Sequence, residues 1–399
     1  MKVYVLGAGA SRAYDQSPTG QRMPLARDFF EVFSKLTISA NPWVLIGDVI
    51  EYVSESRGIA REEFALFNGD IEELYSEVEE ILLGVIKAGD GLKTILTSRI
   101  INQLVFLFAS VINEIQNGPV SDVHRQIART LSPEDVLVTF NWDTLMDRAM
   151  NAELGWKTDS GYLAVPRLIH RNVWVAPETR GEVLPRVLKL HGSTNWLTSY
   201  NLIENGKLTL IQSSDPSTLY VYESTEIPYS TFAGRFMPGY QPFAYGYYPP
   251  NIPDDPGKPA PEGYKFVRAR PKFPWVPEGT APDDGLVSMP LIIPPAKGKT
   301  YDLFGSLFKT IWSAAEGALA LADHIIVIGY SFPRTDHQSN TLFAHAFSRR
   351  NSMPRVSILD PSPARAAEKF RHDFGISGEK LFVYPEPFSR EFDLPEILK

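Results

Sequence analysis

The sequence predicts an α/β protein built on a doubly wound, mainly parallel (Rossmann-like) sheet, with a helical insertion and a Pro/aromatic-rich insertion. Three observations predict it. Short apolar, β-branched runs recur along the chain, each stops at a polar or glycine-bearing turn, and stretches of helical periodicity separate them. The first run, Val3-Tyr4-Val5-Leu6, feeds directly into Gly7-Ala8-Gly9-Ala10-Ser11, a strand ending in a turn that can cradle a phosphate. Glycine at 7 and 9 lets the backbone turn tightly and approach a pyrophosphate, and a helix N-terminus beyond it would present N–H groups to the anion. The dehydrogenase fingerprint has a third glycine where this chain has Arg12, and it closes its second strand with an acid. Asp28 stands at a suitable distance, but nothing between residues 12 and 28 reads as a helix followed by a strand. A glycine-rich turn without a ligand is the alternative reading.

After this turn, Ile71, Leu74, Tyr75, Val78, Ile81, Leu82, Val85 and Ile86 keep helical spacing, so one face must pack on a partner. Ala88-Gly89-Asp90-Gly91 breaks that helix from a second over Leu92 to about Ile115, and a third covers Val123 to Leu131 behind the cap residue Ser121. Strand character returns in Val136-Leu137-Val138-Thr139-Phe140 and, more weakly, in Val187-Leu188-Lys189-Leu190. Ile325-Ile326-Val327-Ile328 before Gly329, and Val356-Ser357-Ile358-Leu359 before Asp360, complete the βαβ alternation. The organisation is a single α/β domain over 1–399, with a helical insertion at 38–131 and a Pro/Tyr-rich insertion at 198–290. Within the latter, Pro238 to Pro282 holds 12 of the 32 prolines and nine aromatics, including Tyr240, Tyr245, Tyr247, Tyr248 and Trp275. So many aromatics are unusual in a solvated tether and favour packing on the core or on another subunit. The paired acids Asp254-Asp255 and Asp283-Asp284 read as solvated turns.

Composition narrows the function. The 399 residues, 44% hydrophobic and 22% charged, can bury a large core, and a net charge of −8 argues against direct nucleic-acid binding. No run of 18 or more apolar residues and no charged-then-apolar leader is seen, so a cytoplasmic protein without membrane contact is expected. The absence of cysteine removes thiol nucleophiles and thiolate zinc sites. The seven histidines, His124, His170, His191, His324, His337, His345 and His372, lack paired-ligand spacing, so metal-free chemistry is expected.

Open parallel sheets bind ligands beyond the C-terminal ends of their strands, which concentrates interest on five strand ends. In Thr139-Phe140-Asn141-Trp142-Asp143 an amide and a carboxylate can reach a ribose, a carboxamide or a water, or Asp143 can simply cap the next helix. In Leu190-His191-Gly192-Ser193 the imidazole can serve as a general base or remain a satisfied buried polar group. Gly329-Tyr330-Ser331, followed by Asp336, offers a close backbone approach and a hydroxyl. Asp360 can take a ribose hydroxyl pair or start the turn Asp-Pro-Ser-Pro.

In order, these pieces resemble the sirtuin-like superfamily, whose signature is a Gly-Ala-Gly-x-Ser turn, a Thr-x-Asn-x-Asp strand end, a His-Gly pair and a late Gly-x-Ser strand end. Met23-Pro24-Leu25-Ala26-Arg27 is similar to the family's nicotinamide-side loop, with Leu25-Ala26 in place of the usual Asp-Phe. Deacylating sirtuins carry a four-cysteine zinc module, so the resemblance is nearer to the bacterial sirtuin-like NAD hydrolases of antiphage defence. It implies that Asn141 and His191 are required for cleavage and that Asp143 contacts nicotinamide. It further implies that Gly7, Ala8, Gly9, Ala10, Ser11, Arg27, Gly329, Tyr330, Ser331 and Asp360 bind the cofactor. NAD as substrate and no metal are implied, with hydrolysis to nicotinamide and ADP-ribose or cyclisation of ADP-ribose as outcomes. A homo-oligomer with a companion ATPase or phage-derived activator is the expected setting, with 238–282 as assembly surface. The alternatives are an NAD or ADP-ribose sensor without turnover and a metal-free protein deacylase.

Overall fold

The computed structural model describes residues 1–40, 42–171, 173–178, 181, 183–199, 201, 202, 211, 212, 219–223, 288–294, 305–333 and 337–398. Its strands are β1 (Lys2–Leu6), β2 (Val136–Thr139), β3 (Leu168–His170), β4 (Trp174–Val175), β5 (Arg186–Lys189), β6 (Gly192–Ser199), β7 (Asn201–Leu202), β8 (Ile211–Gln212), β9 (Tyr220–Tyr222), β10 (Ser288–Ile292), β11 (His324–Ile328), β12 (Arg355–Leu359) and β13 (Leu381–Tyr384). The helices are α1 (Ala8–Arg12), α2 (Phe29–Phe33), α3 (Pro42–Arg57), α4 (Ile71–Ala88), α5 (Gly91–Gln116), α6 (Asp122–Thr130), α7 (Leu145–Leu154), α8 (Thr158–Gly161), α9 (Gly305–Leu321), α10 (His337–Ser348), α11 (Ala364–Glu368) and α12 (Leu394–Leu398).

Six strands form one sheet in the order β13-β12-β11-β1-β2-β5, every neighbouring pair parallel. The expected α/β, Rossmann-like class is therefore what the chain adopts. Both faces of such a sheet are covered, so its central strands read as unbroken apolar runs, and all five residues of β11 are buried. The chain runs outward from β1 through β2 to β5, then restarts beside β1 with β11 and proceeds outward to β13. The strand order thus reverses between β1 and β11, and a crevice opens at such a reversal. The Gly7 and Gly329 turns lie at the C-terminal ends of those two strands.

The predicted helices appear as α4, α5 and α6 within a residue or two of their expected ends. Asp70 starts α4 by accepting from the amides of Glu72 (2.8 Å) and Glu73 (3.2 Å), and Gly89 ends it in the left-handed region at φ +71°. Ser121 caps α6 through the amide of His124 at 3.3 Å. Helices α2 to α5 enclose a second apolar core, centred on Phe30, Val49, Val78, Leu104 and Phe108, beside the one around the sheet. Helix α5 is long and apolar enough to cross a membrane by length and composition, although no unbroken apolar run of that length occurs. Its apolar positions are interrupted by Thr97, Ser98, Arg99, Asn102 and Gln103, and 67% of its most apolar window is buried.

Several features were not anticipated. Helix α3 has a non-helical residue at Ile46, which interrupts its periodicity. A second sheet, in the order β10-β6-β9-β3-β4, packs beside the first. Its members β3, β4 and β9 are two or three residues long, too short for an alternating pattern to register in a sequence. The segment 238–282, read above as an assembly surface, lies outside the described residues, as do Asp336 and most of 198–290.

Candidate active site

A cavity of about 400 Å³ opens at the C-terminal end of the parallel sheet. It is lined by Ala8 and Ser11 beyond β1, Asn141, Trp142 and Asp143 beyond β2, His191 beyond β5, and Tyr330, Ser331 and Pro333 beyond β11. Arg27 stands exposed at its rim, with Met23, Pro24, Leu25 and Ala26 beside it. A further wall comes from helices α4 and α5, through Asp70, Ile71 and Glu72 at the α4 start and Phe108 and Ile112 of α5.

The glycines at 7 and 9 let two turns of the chain meet closely. A Cβ on Gly7 would meet the Gly329 carbonyl oxygen at 2.5 Å, and one on Gly9 would meet the Gly329 Cα at 2.7 Å. Gly329 itself has φ +61°, and a Cβ there would lie 2.3 Å from the Ala10 amide nitrogen. The Gly7 amide donates to the Ile328 carbonyl (3.0 Å), that of Gly9 to the Gly329 carbonyl (2.9 Å) and that of Ala10 to the Gly7 carbonyl (2.9 Å). The close backbone approach that these glycines permit includes an approach of two protein turns. Three of the amides expected to face an anion already donate within the chain.

Asn141 and Asp143 are held from several sides. The Asn141 side-chain nitrogen donates to the Gly7 carbonyl at 2.7 Å, which ties the β2 end to the first turn. One oxygen of Asp143 accepts from the hydroxyl of Ser11 and the other from the Leu145 amide at 3.0 Å. Asp143 thus serves the start of α7, the alternative raised above, while also lining the cavity and fixing Ser11.

His191 is buried, 4% exposed, and follows β5 at a corner that only glycine can turn. Gly192 has φ +78°, and a Cβ there would sit 2.0 Å from the Leu291 carbonyl. The imidazole meets the edge of Phe140 with ring centroids 5.3 Å apart, and Trp312 flanks it at 6.2 Å while donating its indole N–H to the Leu190 carbonyl at 3.1 Å. Phe140 in turn stacks on Tyr330, 4.1 Å apart and within 5° of parallel. Nearby on α6, burial pushes the His124 pKa down, with the carboxylate of Asp143 acting in the opposite direction.

The cavity lining brings together Ala8, Ser11, Arg27, Asn141, Asp143, His191, Tyr330 and Ser331 of the residues predicted from sequence. Gly7, Gly9, Ala10 and Gly329 stand just behind it as turn residues. Asp360 is not among the lining residues, and its carboxylate accepts from the Ser362 amide at 2.7 Å, the turn that its Asp-Pro-Ser-Pro context also allowed. Sequence reasoning missed the wall from α4 and α5, and Phe140 and Trp142 as lining aromatics. The aromatics were visible between the polar residues of the β2 end, whereas nothing along the chain aims the start of α4 at this crevice. Among the described residues no three His, Asp or Glu side chains group as metal ligands.

The fold and site together define an α/β protein with a Rossmann-like parallel sheet and a strand-end cavity at its topological switch. No protein-family model matches the chain, and no curated protein matches it. Among solved structures it is similar to a mutant Sir2 homologue in complex with ADP ribose, at 13% identity over 100% of this chain and 90% of that one, with a TM-score of 0.35. A structure of Sir2Tm bound to a propionylated peptide is similar at 13% identity over 97% and 88% of the two chains, with a TM-score of 0.31.

Proposed function

We propose that this chain is an NAD hydrolase that cleaves the bond between nicotinamide and ribose to give nicotinamide and ADP-ribose. The observation that carries the reading is the convergence of Ser11, Asn141, Asp143, His191 and Ser331, from four separate strand ends, on one cavity of a size suited to a small-molecule ligand. These are the polar residues of the four ordered motifs that resemble the sirtuin-like family.

Cleavage of that bond builds positive charge on the sugar, so a catalyst must shield an oxocarbenium-like centre, hold the leaving ring and admit one water. With its side-chain nitrogen tied to Gly7, Asn141 has its amide oxygen available to accept from a water or a ribose hydroxyl. His191 takes a proton from that water or hydroxyl, a role that needs neutral imidazole. The carboxylate of Asp143 favours a cationic ring before cleavage, and the aromatic lining from Phe29, Phe108, Phe140 and Trp142 gives that ring an apolar seat. Arg27 and Ser331 suit the phosphate and sugar hydroxyls at the open side. Uncontrolled loss of NAD is toxic. The reading therefore includes an abortive-infection antiphage effector held inactive until homo-oligomeric assembly, a companion ATPase or a phage-derived activator releases it.

Incubation of the purified chain with NAD, with and without candidate activators, followed by chromatography of the products, tests this. Nicotinamide and ADP-ribose are expected, and their release should fall by at least about 10²-fold in Asn141→Ala and His191→Ala. Cyclic ADP-ribose would reassign the acceptor from water to an internal nucleophile. Turnover undiminished by both substitutions rejects the site, and NAD occupancy without nicotinamide release makes the chain a sensor.

A further inference from the structure

Lys189 is among the largest fully buried side chains of the protein, 1% exposed, and it lies on β5 two residues before His191. Its register partner across the sheet is Thr139, two residues before Asn141. The ammonium donates to the backbone carbonyl of Asp143 at 2.6 Å and pairs with the Asp147 carboxylate at 2.9 Å. Asp147, on the first turn of α7, also accepts from the hydroxyl of the buried Tyr162. A buried ammonium is costly to desolvate, and here both its ionic partner and a carbonyl acceptor are supplied.

The same stretch of chain grips the β2 end once more beyond His191. The Ser193 hydroxyl (3.0 Å) and the Thr194 amide (2.8 Å) both donate to the Trp142 carbonyl. The carbonyls of the two consecutive residues after Asn141 are therefore held by donors that bracket His191 in sequence. Of these donors only Lys189 is a charge, and its side chain is anchored on α7 through Asp147.

We propose that Lys189 is a positioning residue, whose ammonium, locked by Asp147, sets the spacing between the loop bearing Asn141 and Asp143 and the imidazole of His191. The role for turnover rests on the hydrolase reading above. The role in holding the loop does not. Misplacement by about 1 Å is enough to cost on the order of 100-fold in rate when a reaction depends on orientation.

Lys189→Met alone strands the Asp147 carboxylate in the interior and invites unfolding, so the informative variant is the pair Lys189→Met with Asp147→Asn, which removes both charges and keeps an acceptor for Tyr162. Its folding is checked by circular dichroism. Two readouts follow: kcat and KM for nicotinamide release from NAD, and the NMR resonance of the Trp142 indole N–H, which finds no acceptor among the described residues and so reports the loop directly. The expected result is a kcat lowered by about 100-fold, a KM changed by no more than about twofold and a displaced indole resonance. An unmoved resonance in the folded variant overturns the proposal, as does an undiminished kcat. If the unsubstituted protein releases no nicotinamide under any condition, the hydrolase reading falls and the resonance alone decides whether Lys189 holds the loop.

Discussion

Two pairs of turns build this site, and they are joined by opposite means. The turn after β1 meets the turn after β11 backbone to backbone, with Gly7, Gly9 and Gly329 leaving no room for any side chain between them. The loop after β2 meets the corner after β5 mainly through side-chain donors, the buried ammonium of Lys189 and the hydroxyl of Ser193, beside the backbone amide of Thr194. The first joint is a matter of shape and belongs to the fold itself. The second is a matter of polar groups, and it holds the segments that bring Asn141, Asp143 and His191 to the cavity. Substitutions should therefore separate the two joints cleanly, with the first losing stability and the second losing chemistry.

The largest effect on stability is expected at the first joint. Gly329→Ala forces a Cβ into the Ala10 amide at a residue with φ +61°, and it should cost at least ~3 kcal/mol in urea unfolding. A variant that melts with the unsubstituted protein would show that the two turns can part without harm. At the second joint, His191→Ala should lower nicotinamide release by about 10²–10⁴-fold while losing less stability than Gly329→Ala. Equal loss of stability in both would erase the distinction. Ser11→Ala links the joints, because it removes the donor to a buried Asp143 oxygen. A cost of ~1–3 kcal/mol is expected from the melting curve, accompanied by weaker NAD binding.

The smallest effect is a pH dependence of stability. Burial lowers the pKa of His124, and burial with the charges of Arg355 and Lys2 lowers that of His324 to about 4. Both histidines stay neutral in the folded state, while an unfolded chain takes up their protons near the ordinary value. Their contribution is therefore complete above about pH 6.5 and is lost as the pH falls toward 4, at ~1.4 kcal/mol for each unit of depression. Urea midpoints measured between pH 7 and 4 should fall. Replacing His324 with an apolar residue should flatten that fall.

The parallel sheet was legible in the sequence because strands covered on both faces need no alternation, only an apolar run and a stop, as in β1, β2, β11 and β12. The strand β13 was missed because Phe382 and Val383 are partly exposed at the sheet edge and the run is short. Residues that line the cavity from strand ends were legible for the same reason as the strands, since each follows a run by one to five positions. The glycine spacing was legible, but not the packing of the two turns, because the same steric demand arises whether the neighbour is a phosphate or another turn. Lys189 reads in sequence as a polar residue in a weak strand, and only the three-dimensional register with Thr139 gives it a carbonyl to hold. The wall from α4 and α5 was invisible because Asp70, Ile71 and Glu72 mark a helix start wherever they occur.

That wall comes from a segment spliced between two adjacent strands of the sheet, with an apolar interior largely its own. The groups proposed to react therefore sit on one scaffold and the wall that faces the same cavity on another. Exchanging the segment for a differently shaped helical cassette would retune which molecule is admitted, with the imidazole, amide and carboxylate left where they stand.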